Sequence, residues 1–218
     1  MAEPSTYELA PLFQAVGEVL RQSQTALNQA DALNGNHGDH MVEIFQIAAR
    51  AAQEQQAAGL AEAMTYAAGL LEAQAENGSA GVYAHGLRQL AGQLQRYDIS
   101  LDELVAYVQK VLREEKDAGQ TAEPGLIRSG EVLKALLAAL TGWGQIEEGQ
   151  TPTERSLDMG ALFGLGMAYW QAKQRGGRRA AVLADAAASV SPLSKIPHRY
   201  ESGKLAIQAL LEAMQQVK

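Results

Sequence analysis

The segment of the chain that carries the most chemistry is residues 31–40, which lie between two apolar, helix-like runs. It holds two Asp, two Asn and two His. Carboxylate and amide oxygens suit a hard cation such as Mg²⁺, whereas His37 and His40, three residues apart, suit a softer metal. Asn, Gly and Asp are also common turn residues, and Asp39 is well placed to cap a helix starting near Met41. The residue types therefore leave a metal site and a capped turn both open.

A glycine-rich segment at residues 77–81 is a candidate phosphate site. Glycine lets backbone N–H groups approach an anion closely, and a helix N-terminus adds positive potential. The alternative is an ordinary helix stop at Gly78, with Ser79 as the N-cap of the next helix.

Two later loops combine proline and glycine with charged residues. The one that ends at Pro124-Gly125 is typical of a simple turn. Residues 191–203 place three cationic or titratable side chains between two prolines and a glycine, namely Lys195, His198 and Arg199. Such a loop is able to bind a phosphate or to close over a site, and it is equally compatible with a bare connection.

Composition and missing motifs exclude several classes of protein. The chain has no cysteine, which excludes a disulfide scaffold, a zinc–thiolate site and a cysteine nucleophile. A net charge of −7 argues against binding driven by nucleic-acid phosphates. No apolar run reaches the ~18 residues that cross a membrane, and the first residues do not form a signal peptide. Walker-type, serine-elbow and H-E-x-x-H motifs are also missing. We therefore expect a cytoplasmic protein with no nucleic-acid and no membrane partner.

Helices must position these loops, because the chain is rich in Ala, Leu, Gln and Glu and poor in β-branched and aromatic residues. Capping boxes predict three helix starts, at Ser5–Glu8, Ser100–Glu103 and Thr151–Glu154. Apolar residues at helical spacing predict further helices over about 41–57, 60–76, 79–96, 129–142, 154–175 and 178–189. Breaks are expected between them, including one across residues 191–203. The sequence thus predicts an all-α single domain over residues 1–218, with eight or nine helices in a bundle.

The order of these loops along an all-helical chain resembles the nucleotide-binding L subunit of dihydroxyacetone (glycerone) kinase. It also resembles the related kinase-like domain of bacterial fatty-acid kinases, and the likeness covers nearly the whole chain. The resemblance implies an eight-helix barrel that binds ATP or ADP with Mg²⁺ at one end through its inter-helix loops.

The family's first motif, D-x-x-x-G-D-x-D-H-G, holds Mg²⁺ with its carboxylates. In this chain Asp31 stands for the first acid and His37-Gly38 for the H-G pair. Asn36 takes the position of the last Asp, and Asp39 follows the pair as a substitute ligand. The resemblance therefore implies a metal site made by Asp31, Asn36 and Asp39, with His37 and Gly38 beside the nucleotide.

The second and third motifs surround the phosphates in the family. G-G-A-S-G corresponds to Asn77, Gly78, Ser79, Ala80 and Gly81. A-E-P-G-D-K-T corresponds to the segment that ends at Gly125, but Leu126-Ile127-Arg128 replaces its polar end. The resemblance implies nucleotide contacts from residues 77–81 and from Gly125.

The fourth motif, Y-L-G-E-R-S-I-G-H-x-D-P-G, closes over the nucleotide and is followed loosely by Leu193, Pro197-His198 and residues 201–203. Lys195 takes the place of the motif's Arg. The resemblance implies that Lys195 neutralises charge in the transition state and that His198 lies in the same catalytic loop.

The function implied by the resemblance is transfer of phosphate from ATP to dihydroxyacetone, or to a similar acceptor, held on a separate K-type subunit or other acceptor-carrying protein. A homodimer is compatible with it as well. In some members ADP stays bound and is rephosphorylated by a phosphocarrier protein. The changes at Asn36 and Leu126-Ile127 favour an alternative, a kinase-like binding or regulatory module with a degraded metal site. A helical scaffold without a ligand is the third interpretation.

Overall fold

The computed structural model describes residues 7–75, 77–113, 124–141 and 178–217. Within these ranges all regular secondary structure is helical, so the all-α prediction is confirmed. A 3₁₀ turn at Pro192–Lys195 precedes the last of eight helices in the described part. The helices are α1 Leu9–Ala30, α2 His37–Glu54, α3 Leu60–Gln74, α4 Gly78–Tyr97, α5 Leu101–Leu112, α6 Pro124–Thr141, α7 Arg179–Val190 and α8 Pro197–Gln216. Among the described residues, none of the helices is long and apolar enough to span a membrane.

The helices pack around one apolar core. Helix α1 lies against α2 and α8, α3 against α4, α4 against α6, and α7 against α8. Three aromatic rings link α1, α2 and α4 edge to face: the ring centroids of Phe13 and Phe45 are 6.1 Å apart, and those of Phe45 and Tyr83 are 5.7 Å apart. Edge-to-face contacts of this kind fix the relative position of the helices beyond what area burial alone provides.

Helix α5 holds both ends of the described chain. The backbone N–H of Tyr7 donates to Asp102 Oδ1 in the first turn of α5, at 3.1 Å. The Gln109 amide, two turns further along α5, donates to the carbonyl oxygens of Met214 and Val217, each at 3.0 Å. The start of α1 and the end of α8 therefore lie at the same end of the bundle.

The predicted capping box of α5 is confirmed. The Ser100 side chain accepts from the Glu103 backbone N–H, and the Glu103 carboxylate accepts from the Ser100 backbone N–H at 2.9 Å. Ser5, Thr151 and Glu154 lie outside the described residues. At the other predicted start, Glu8 itself is the N-cap of α1, without a side-chain hydrogen bond.

Other helix starts differ from their predicted positions. Helix α2 begins at His37, a turn before Met41. Asn77, and not Ser79, is the N-cap of α4. Helix α6 begins at Pro124, so the expected loop end lies inside the first turn, where proline is well tolerated. The break expected across residues 191–203 ends early, because α8 begins at Pro197.

Candidate functional site

The turn before α2 is built around the buried carboxylate of Asp31. Its Oδ1 accepts from the backbone N–H groups of Leu33 and Asn34, each at 3.3 Å. Burial acts to raise the pKa of Asp31, but these N–H groups and the nearby His198 outweigh it and hold the pKa below its usual value. Gly35 closes the turn at φ 68°, in the region that favours glycine. Asp31 thus shapes the loop as an ionised side chain.

Side chains of α1 anchor the start of α2. Asn28 Oδ1 accepts from the backbone N–H of Gly38 at 2.7 Å and from that of Asp39 at 3.3 Å. The Asp39 carboxylate in turn accepts from the amide groups of Gln24, at 2.6 Å, and Asn28, at 2.9 Å. These two amide donors hold the pKa of Asp39 below its usual value. The free N–H groups at the start of α2 are therefore satisfied by a neighbouring helix, whereas Asn36, the N-cap residue, makes no such bond.

His37 joins residues 31–40, the first loop, to residues 191–203, the fourth loop. Its side chain is only 4% exposed, and its Nε2 lies 2.9 Å from Ser202 Oγ on α8. Its ring centroid is 4.6 Å from that of His198. Burial, and then the positive charges of His198 and Arg199, lower the pKa of His37 from 6.5 to about 4. His37 is therefore neutral near pH 7 and acts as a hydrogen-bonding connection between α2 and α8.

Arg199 brings a positive charge into the same region. It is half-buried in the first turn of α8, next to His198 in sequence. Burial raises the pKa of the Tyr83 hydroxyl on α4, and the charge of Arg199 opposes that shift. The Tyr83 hydroxyl donates to the Leu140 carbonyl oxygen at 3.1 Å. Arg199 thus lies within electrostatic range of both α2 and α4, and no hydrogen bond or ion pair engages its guanidinium within the described ranges.

The glycine-rich segment at the start of α4 is joined to α2. Asn77 Oδ1 accepts from the backbone N–H of Ala80 at 2.8 Å, and Asn77 Nδ2 donates to Glu43 Oε2 on α2 at 2.9 Å. A Cβ atom placed on Gly78 or Gly81 would meet nothing within 4 Å. The packing of the described residues therefore does not require glycine at these positions, and the surface of this turn is open to an approaching group.

Two of the predicted site residues, Lys195 and Gly125, are not part of these contacts. Lys195 ends the 3₁₀ turn and is exposed. Gly125 lies in the first turn of α6, which packs against α4. Ser79 and Ala80 are buried in the first turn of α4. The structure thus brings the first and fourth loops together through His37 and links residues 77–80 to α2 through Glu43.

The predicted metal ligands do not form a ligand group in the described part of the chain. No set of three His, Cys, Asp or Glu side chains there is placed to hold a metal ion. The carboxylates of Asp31 and Asp39 already accept hydrogen bonds from the loop and from α1. Asn36 Oδ1 is buried and, among the described residues, is the buried side-chain polar atom that has no partner. Mg²⁺ is usually held by one or two carboxylates together with waters and substrate phosphates, so it would have to share Asp31 and Asp39 with the N–H donors that their Oδ1 atoms already accept.

Sequence reasoning missed the residues that anchor the site. Gln24 and Asn28 were read as part of a helix, although amides spaced four residues apart on one helix present a shared polar face. The sequence predicts a loop at Ser202, which instead lies buried in α8. Because its hydrogen bond to His37 spans 165 residues of sequence, no local pattern indicates it.

Comparison with models of protein families, with curated proteins and with solved structures finds no match to this chain.

Proposed function

We propose that the chain is a kinase-like domain that binds ATP or ADP at the end of the bundle formed by its first and fourth loops. The observation that carries this proposal is the junction at His37, whose Nε2 lies 2.9 Å from Ser202 Oγ and whose ring lies beside His198. It gathers the N-termini of α2 and α8, with Arg199, at one place. Positive side chains such as that of Arg199 bind phosphate groups, and the positive ends of the two helix dipoles add to their attraction.

The proposed architecture is a barrel like that of the dihydroxyacetone kinase L subunit. Its support is the sequence of helix contacts, in which α1 packs on α2, α2 on α3, α3 on α4, α4 on α6, α6 on α8 and α8 on α1. That path returns to its starting helix. A closed ring of helices leaves two open ends, and the loops proposed to bind nucleotide line one of them.

The proposed reaction is transfer of phosphate from ATP to dihydroxyacetone, or a similar small hydroxyl compound, held on a K-type partner subunit in the cytoplasm. Lys195 supports this role because it is exposed on a short turn, three residues before His198, and so is free to reach a phosphate at the subunit boundary. Phosphoryl transfer relies mainly on positioning and on neutralising charge, which cationic side chains supply. The residues of this chain would hold and orient the donor, and the partner would hold the acceptor.

A second function, nucleotide binding without transfer, is favoured by the engaged carboxylates. Asp39 accepts two amide hydrogen bonds from α1 and Asp31 accepts two from its own loop. A domain of this kind would report nucleotide levels to a partner protein instead of donating phosphate.

The test is isothermal titration calorimetry with ATP and ADP, with and without Mg²⁺. We expect micromolar binding, about −8 kcal/mol, by the full chain. Absence of binding to both nucleotides under both conditions would refute the proposal. Where ATP binds, a transfer assay with dihydroxyacetone and a dihydroxyacetone-binding subunit separates the two functions: product formation supports the kinase, and binding without product supports the module.

A further inference from the structure

We infer that this end of the bundle binds phosphate groups without a divalent cation, and that the Arg199 guanidinium supplies the positive charge that a metal would otherwise provide. The inference rests on the proposed nucleotide site and specifies its chemistry. It departs from what the family resemblance implies, because the resemblance places Mg²⁺ among the residues of the first loop.

The Asp39 carboxylate already has hydrogen-bond partners on α1. Binding of a metal by Asp39 would compete with the amide donors of Gln24 and Asn28, which lie 2.6 and 2.9 Å from its Oδ1. The same amide of Asn28 also holds the Gly38 N–H through its oxygen, at 2.7 Å. Loss of Asp39 from this network would loosen the contact between α1 and α2. Oδ1 of Asp39 is therefore committed to joining two helices.

The other two residues expected to bind the metal are Asp31 and Asn36. Asp31 Oδ1 is directed at the N–H groups of its own turn. Asn36 contributes a neutral amide in place of a carboxylate, so it adds no negative charge to attract a hard cation. The first loop thus offers one buried carboxylate, whose Oδ1 is already hydrogen-bonded, as the anionic ligand for a hard cation.

Arg199 brings a positive charge to this end of the bundle. Its guanidinium is half-buried and has no hydrogen-bond or ion-pair partner in the described part of the chain, whereas the neighbouring Glu201 lies 3.9 Å from Lys204. A partly desolvated cation without a counter-charge is unfavourable, and an anion beside it removes that cost. Arginine also presents paired N–H groups that match phosphate oxygens. Exposed Lys195 on the preceding turn adds a second positive charge near the start of α8.

A phosphate would approach Arg199 at the start of α8. His198 and Arg199 belong to the first turn of α8, at the positive end of the helix dipole, and the backbone N–H groups of Arg199 and Tyr200 there donate to the Ile196 carbonyl oxygen at 3.0 Å. Tripolyphosphate has the same chain of three phosphates as ATP, with one more ionisable oxygen, and lacks the base and sugar. It therefore separates the phosphate contacts of Arg199 from any contact with adenosine.

The experiment titrates the full chain with ATP and with tripolyphosphate, each in excess EDTA and in excess Mg²⁺. We expect similar affinity for ATP in both buffers and measurable binding of tripolyphosphate in EDTA. Arg199→Gln should weaken both ligands at least about tenfold, the usual effect of losing a charge-assisted hydrogen bond. Arg199→Lys should recover part of that loss, because it keeps the charge but not the paired geometry.

The matched control is Arg178→Gln, which removes the same charge from a side chain that is 86% exposed and near Glu212. Glu212 lies thirteen residues along α8 from Arg199, about 20 Å away. This control should bind both ligands as the wild type does. Circular dichroism of every variant shows whether the helices persist. If Arg199→Gln loses its helices, the affinities of Arg199→Lys and the wild type are compared instead to test the role of Arg199.

The outcomes are distinct. Binding of ATP that requires Mg²⁺ overturns this inference and leaves the proposed function standing. Unchanged affinity of folded Arg199→Gln in EDTA, or of Arg199→Lys where that comparison decides, overturns the assignment to Arg199. Absence of ATP binding in both buffers refutes the proposed function and this inference with it.

Discussion

Replacing Gly38 with alanine tests whether the close contact between α1 and α2 fixes the site. A Cβ at this position would lie 2.9 Å from Asn28 Oδ1 and closer still to the Gln24 carbonyl oxygen. The Gln24 carbonyl belongs to the backbone of α1 and cannot rotate aside as a flexible side chain would, so α2 must move away from α1. That shift would stretch the hydrogen bonds from the Gly38 N–H to Asn28 Oδ1 and from the Gln24 amide to Asp39 Oδ1, now 2.7 and 2.6 Å long.

The magnitude follows from three contributions. Overpacking of this kind costs about 1–3 kcal/mol, and each weakened hydrogen bond about 1 kcal/mol. Alanine returns at most about 1 kcal/mol through its better helix propensity. We expect the free energy of unfolding to fall by about 2–4 kcal/mol, which lowers the urea midpoint by roughly 1 M or more.

The assay is urea unfolding followed by far-UV circular dichroism, with Gly81→Ala as the matched control. Gly81 also lies in the first turns of a helix, but a Cβ there meets nothing within 4 Å. Gly81→Ala should leave the unfolding free energy unchanged or raise it by up to about 1 kcal/mol. If Gly38→Ala is as stable as Gly81→Ala, the contact does not constrain the helices and the reasoning fails.

Three further predictions concern Ser100, His37 and Asn36. Ser100→Ala removes the confirmed capping box and should cost about 1 kcal/mol in urea unfolding; no change would mean that Glu103 alone caps α5. Because the pKa of His37 is lowered from 6.5 to about 4 on folding, the unfolded chain binds the extra proton first, and about 2–3 kcal/mol of stability should be lost as pH falls through that window. His37→Gln should flatten this dependence, and an unchanged slope would assign it to other groups. Asn36→Asp buries a carboxylate without a partner and should destabilise the fold by about 1–3 kcal/mol with no gain in calorimetric Mg²⁺ affinity; a clear gain would favour the metal site.

Local sequence patterns predicted the features whose causes are local. The capping box of Ser100 and Glu103 needs residues three apart, and the structure has both of its hydrogen bonds. The start of α2 was placed a turn too late because its N–H groups are satisfied by Asn28, on a different helix. The two prolines and the glycine of residues 191–203 predict a loop there, although Ser202 and Gly203 are buried in α8.

For the candidate site as well, the sequence predicts which segments act together but not which side chains meet. The order of the loops led to the expectation that residues 31–40 and 191–203 act together, and the contact of His37 with His198 brings them together. Which side chains face one another across that junction depends on how α1, α2 and α8 pack. The commitment of Asp39 to Gln24 and the unpaired state of Arg199 within the described residues follow from that packing. No spacing within a single segment encodes either of them.

The contacts of α5 give the molecule two dissimilar poles. Tyr7 and Val217 are both held by α5 at one pole, whereas His37 and Ser202 meet at the other. Helix α1 has 22 residues, so the poles are separated by about 33 Å. A tag, a surface tether or a fused fluorescent protein attached beyond residue 7 or residue 217 would leave the junction at His37 facing outward. Immobilised in this way, the protein would present the pole at which we propose nucleotide binding to any molecule in the surrounding solution.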